Sequence, residues 1–184
     1  FAGRAVTRDV AEAAKWHIIA RASGLPDPEL EHELLLLTRA ERATVRLEGR
    51  VRAAIGQPIL VRVRGGEQLA GELVDAAAEW LMLAEGPRRY LVPTQAVAVL
   101  RGLPGQVEPD SGRVARRLGL AHALRALSRD RVAVRLDAQG VQLRGRLDAV
   151  GADHVDLVAL DESGRGRPER WAVPISAIDV VAST

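Results

Sequence analysis

Apolar and polar residues alternate along this chain in short bursts, and the period of two predicts strands. The first burst predicts strands at Ile59 to Arg64, Gln68 to Val74, Trp80 to Leu83, Arg89 to Val92 and Val97 to Leu100, with Gly65-Gly66 and Glu85-Gly86-Pro87 as turns. The second predicts strands at Val132 to Leu136, Val141 to Val150, His154 to Val158, Glu169 to Val173 and Ile178 to Val181. The two bursts are copies of one pattern. Leu69-x-Gly71-x-Leu73, Trp80-Leu81-x-Leu83 and Val92-Pro93 return as Leu143-x-Gly145-x-Leu147, His154-Val155-x-Leu157 and Val173-Pro174. Gly71, Leu73, Trp80 and Leu83 meet Gly145, Leu147, His154 and Leu157 at a constant offset of 74. Val61 and Val63 meet Val134 and Leu136 at 73, and Val92-Pro93 meets Val173-Pro174 at 81, so the second copy is expected to have a longer first turn and seven extra residues within 161–170.

Elsewhere the period is helical. Residues 7 to 22 predict a helix with Thr7 as N-cap, an apolar stripe of Val10, Ala14 and Ile18, and Gly24 past its end. A longer one starts at Asp27-Pro28, carries Leu36, Ala40, Ala43, Leu47, Val51 and Ala54 at spacings of three or four, and ends near Gly56-Gln57-Pro58. Dimerisation through this helix and packing against its own strands both remain open. Between the copies, Pro104, Gly105 and Pro109 mark a linker, and Val114, Leu118, Ala121, Leu124 and Leu127 stripe a third helix over Arg113 to Leu127. The organisation read from this is a helical segment 1–55, a β unit 56–103, a linker and helix 104–130, and a second β unit 131–184.

Composition narrows the class. The 184 residues are 47% hydrophobic, enough to bury cores, and no apolar run approaches the roughly 20 residues of a membrane-spanning helix. Phe1-Ala2-Gly3-Arg4 lacks the charged-then-apolar order of a secretory signal, and a Phe in first place points to a chain that begins after processing or inside a longer one. Cysteine is absent, which excludes a disulfide framework and thiolate metal sites and makes the cytoplasm the expected compartment. The formal charge is only +2, because 26 basic residues, all Arg except Lys15, face 24 acidic ones. The excess sits in 106–131, with six Arg against three carboxylates. So many Arg and so few Lys also suggest a high-GC bacterial coding sequence.

Five strands in about 50 residues cover one another only if the sheet bends over on itself. A helix followed by five short strands, with Val61, Gly71, Leu73, Leu83 and Val97 in one copy and Val134, Gly145, Leu147, Leu157 and Ile178 in the other, resembles the Sm-like superfamily, which includes bacterial Hfq. The layout also looks like an uncharacterised actinobacterial family whose automatic names suggest transcription regulators. The resemblance covers residues 30 to 184 and implies an α+β fold: N-terminal helices followed by two small five-stranded Sm-like (SH3-like) barrels joined by a helix. The base-binding signatures of that superfamily do not carry over. The corresponding turns read Asp75-Ala76-Ala77-Ala78-Glu79-Trp80 and Asp148-Ala149-Val150-Gly151-Ala152-Asp153-His154, and only Arg101-Gly102 matches its terminal Arg-Gly pair.

Catalysis is not expected. Asp148, Asp153, Asp156 and Asp161 lack EF-hand spacing, Gly164-x-Gly166 and Gly102-x-x-Gly105 lack the context of a phosphate loop, His122 has no nearby nucleophile, and His17 and His32 have no partner at ligand spacing. No cofactor or metal is expected. Trp80 and Trp171 are expected in the core or at its rim. Tyr90 beside Arg88 and Arg89 is the best candidate for stacking on a base, with Arg62 and Arg64 on the neighbouring strand, and Arg113, Arg116 and Arg117 begin a second basic track that continues to Arg125, Arg129 and Arg131. The expected function is a non-enzymatic binding module, with RNA first or DNA as ligand and a regulatory role. The alternative is a protein-interaction or assembly module without a nucleic-acid ligand. No membrane partner is expected, and a homo-oligomer is.

Overall fold

The structure, a computed structural model, describes residues 45–105, 119–159 and 169–183, and Arg46–Thr184 forms one unit. Strands form at all ten predicted places: β1 (Pro58–Val63), β2 (Gln68–Ala76), β3 (Trp80–Glu85), β4 (Arg88–Pro93), β5 (Val97–Arg101), β6 (Ala133–Ala138), β7 (Val141–Val150), β8 (His154–Ala159), β9 (Arg170–Pro174) and β10 (Ile178–Ser183). Alternation explains the burial in strands such as β1, β6 and β8. In β1, Ile59, Val61 and Val63 are buried while Leu60 and Arg62 are not. Each half is ordered in the same way, with its fifth strand beside its first.

The fold class differs from the expectation of two small five-stranded Sm-like (SH3-like) barrels with N-terminal helices. The strands form one open antiparallel sheet in the order β5-β1-β2-β3-β4-β10-β6-β7-β8-β9. The halves are joined because β10 pairs with β6 on one side and with β4 on the other, Val181 opposite Leu91 and Ala182 opposite Tyr90. The physical reason lies in β10, whose residues 178–182, Asp179 included, are all buried. A bulge at Asp179 breaks the alternation, so Ile178 and Val181 enter the core of the second half while Val180 and Ala182 enter that of the first. Trp80 and Leu91 of the first half pack in the second core in turn. A strand shared by two cores cannot belong to two separate barrels.

The repeat holds at the level of pairing. Leu73 faces Leu83 and Leu147 faces Leu157, each followed by a bulge. A Cβ on Gly71 would lie 2.5 Å from the carbonyl oxygen of Ala84, and one on Gly145 would lie closer still to that of Val158, so at both positions the facing strand crosses a space only glycine leaves open. One detail of the expected alignment changes. Val61 faces Leu69 as Leu136 faces Leu143, an offset of 75 between β1 and β6, and the first turn is therefore the longer one. The second copy uses a tight turn at Gln139-Gly140, both with positive φ (47° and 85°).

Two α-helices occur among the described residues. α1 (Leu47–Ala53) lies within the span expected for the long helix but begins afresh, because Arg46 before it is extended (φ −84°, ψ 146°). The expected helix is therefore not continuous through residue 46, and its part before residue 45 lies outside the described residues. α1 buries Val51, and Arg50 donates to the Pro104 carbonyl at 3.1 Å. The helix predicted over 7–22 lies outside the described residues. α2 (Leu120–Arg129) covers the second core with Leu120 and Leu124. Its first turn is capped from the other half, where a Glu79 carboxylate oxygen accepts from the Leu120 N–H at 2.7 Å. No helix among the described residues is long and apolar enough to cross a membrane.

Candidate nucleic-acid interface

Of the expected site residues, those that are described on the first half, Arg62, Arg64, Arg88, Arg89 and Tyr90, do not all present themselves on one open surface. Arg62 is exposed on β1, 3.3 Å from the Gln68 side-chain oxygen. Arg64 is engaged in the joint between the halves. Its Nε donates to the Asp179 carboxylate at 2.6 Å and its terminal nitrogen to the Ser176 carbonyl at 2.6 Å, while Asp179, 1% exposed, also accepts from the Gln139 N–H at 2.7 Å. Arg89 folds back onto the carbonyls of Gly86 and Arg88, and Arg88 is exposed beside it. Tyr90 is buried in the first core and donates its hydroxyl to Glu85 at 2.6 Å, a hydrogen bond that, with burial, pushes the phenol above its ordinary value of 10.0. A ring in that position presents no face to a base. Arg113, Arg116 and Arg117 lie outside the described residues. Trp80 is buried as expected, whereas Trp171 is 42% exposed at the sheet's edge.

The second half builds a different basic site. Arg146 on β7 faces Val158 on β8, and Val158 faces Arg170 on β9, so the three form one row across three strands and share a face. The end of α2 comes down beside this row. Ser128, on its last turn, has its hydroxyl 3.4 Å from the Asp148 carbonyl, and the chain then reverses through Arg131 at φ 49°. Arg129, Arg131, Arg146 and Arg170 thereby line one open cleft of about 470 Å³, with Ser128, Leu147, Asp148 and Val158 as the rest of its wall. All four arginines are exposed. Asp148 is the one carboxylate in the lining among the described residues, 3.5 Å from Arg170, and both partners are well exposed, so the pair is weak. Four guanidiniums against one carboxylate leave a local charge near +3, and a concave wall concentrates that field.

Arg129 and Arg131 belong to the basic track visible in the sequence. Arg146 and Arg170 were missed because they are far apart in sequence and look like ordinary outward positions. The signal that finds them is the register itself, which sets residues 146, 158 and 170 side by side. Among the described residues no group of three or more His, Asp or Glu side chains gathers to hold a metal ion. Neither a known family's sequence profile nor a curated protein sequence matches the chain.

Proposed function

We propose that this protein is a binding module for nucleic acid, RNA first, and that the Arg129, Arg131, Arg146 and Arg170 cleft is where the phosphate backbone lies. The observation that carries the reading is the convergence of four exposed guanidiniums on one cleft with a single carboxylate among the described residues. Guanidinium is planar and permanently charged, and its forked donors match phosphate oxygens. Among the described residues no aromatic side chain lines the cleft, so contact is to backbone rather than to base, and binding tolerates many sequences.

The test is a fluorescence-anisotropy titration of a labelled single-stranded RNA against the protein at several salt concentrations. Three to four phosphate contacts give a slope of log affinity on log salt of about −2 to −3, roughly a thirtyfold loss between 50 and 200 mM salt. Absence of binding at low salt, or binding indifferent to salt, would overturn the reading. The assembly alternative is favoured by a separate observation at the sheet's edges.

A further inference from the structure

The joint between the two halves is a template for a joint between two chains. Inside the chain, the fourth strand of the first half, β4, pairs with the fifth strand of the second, β10. The counterparts of those strands, β9 and β5, are the two edges of the sheet among the described residues. At the offset of 81 that relates these parts of the repeat, Tyr90 corresponds to Trp171, Leu91 to Ala172, Val180 to Val99 and Ala182 to Arg101. Residues that the internal joint buries have exposed counterparts at the edges. Tyr90 is 6% exposed and Trp171 42%; Val180 is 0% exposed and Val99 55%. Val97, Ala98, Val99 and Leu100 form an uncharged run along one edge, with neither proline nor lysine to blunt it, and such edges invite strand addition.

We infer that a second copy of this chain covers each edge, with β9 of one molecule pairing antiparallel with β5 of the next in the register of the internal joint. That register sets Trp171 opposite Arg101 of the neighbouring molecule and Ala172 opposite its Leu100. Two different surfaces meet, so the contact is heterologous and each added chain leaves one β5 and one β9 edge open until a ring closes. The intermolecular joint lacks the lock of the internal one. Asp179 and Arg64, which bridge the halves at 2.6 Å, correspond to Ala98 and Gln139, which cannot form an ion pair. Association is therefore weaker than the internal joint and depends on concentration. It also stands apart from the RNA reading, because a chain that fails to assemble still carries the whole arginine cleft.

The chain has no cysteine, so an introduced one is the only thiol present. Arg101→Cys and Trp171→Cys proteins are prepared separately, mixed and oxidised mildly, and the mass of the unmodified chain and of Val99→Lys is measured across concentrations. The mixture should give a disulfide-linked pair that neither variant gives alone. The unmodified chain should exceed monomer mass, and Val99→Lys should return it to monomer. Leu100→Cys with Ala172→Cys serves as a second pair if Trp171→Cys fails to fold. A wild-type chain that stays monomeric at every concentration, its edges covered by its own segments, would overturn the inference. So would Arg101→Cys linking to itself as readily as to Trp171→Cys, which would mean a symmetric edge contact. RNA binding measured on the same samples separates this failure from failure of the cleft.

Discussion

The two halves of this molecule share a strand register and differ in almost everything laid over it. Glu72, Ala84 and Arg89 form a row across β2, β3 and β4 at the places where Arg146, Val158 and Arg170 form one across β7, β8 and β9. The first row carries one charge of each sign and the second two positive charges on the floor of a cleft. Trp80 fills the second core at the position where the other half has His154, whose side chain is 45% exposed. The backbone of a repeat is held by a few positions that cannot change, and the rest of its surface is free to acquire a different chemistry.

The first way to break this comparison is at the shared positions. Gly71→Ala and Gly145→Ala each force a Cβ against a backbone carbonyl of the neighbouring strand. Each should cost about 3 kcal/mol, read from chemical denaturation, and the two should cost alike. If only one is costly, the halves do not share this close approach of neighbouring strands. Next is the feature the joint has and the edges lack. Arg64→Ala leaves the Asp179 carboxylate buried with the Gln139 N–H and without its cation. Because Arg64 is itself 37% exposed, its loss should cost about 2 kcal/mol, below the range for a fully buried pair.

A smaller effect sharpens the contrast between Tyr90 and Trp171. Tyr90→Phe removes the hydrogen bond to Glu85 and should cost about 1 kcal/mol at neutral pH. The folded state holds the phenolic proton more tightly than the unfolded chain does. Its contribution is therefore complete below pH 10.0 and lost as pH rises through the raised value, and Tyr90→Phe should show a shallower fall in Tm above that point. The smallest effect is at His154, where the Asp153 carboxylate, 2.9 Å away, raises the imidazole above 6.5. An NMR titration should place its midpoint above that value, and Asp153→Asn should bring it back; the stability it adds is present below pH 6.5 and fades as pH rises through the raised value.

The sequence made all ten strands legible, because several of them alternate on a half-buried surface and the rest fall at matching places of the repeat. What it concealed was how they join. Ile178, Val180, Val181 and Ala182 around Asp179 are the trace of a strand buried on both sides, and without knowing that β4 lies beside it, the stretch reads as an ordinary terminal strand closing its own barrel. The candidate site was half legible. Closely spaced arginines such as Arg129 and Arg131 attract notice in a linear reading, whereas Arg146 and Arg170 become a pair only through β8. Tyr90 shows the opposite error. A polar aromatic beside two arginines looks like a stacking platform, but its strand period turns it inward and Glu85 satisfies its hydroxyl.

The most direct test of the contrast between the halves is single-stranded RNA affinity as a function of salt for two double variants, Arg146→Glu with Arg170→Glu and Arg88→Glu with Arg89→Glu. The first should lower the steepness of the salt dependence by about 1.4 and weaken binding strongly, while the second leaves both near wild type. Loss of binding in the second variant with the first unaffected would place the interface on the first half and contradict the account.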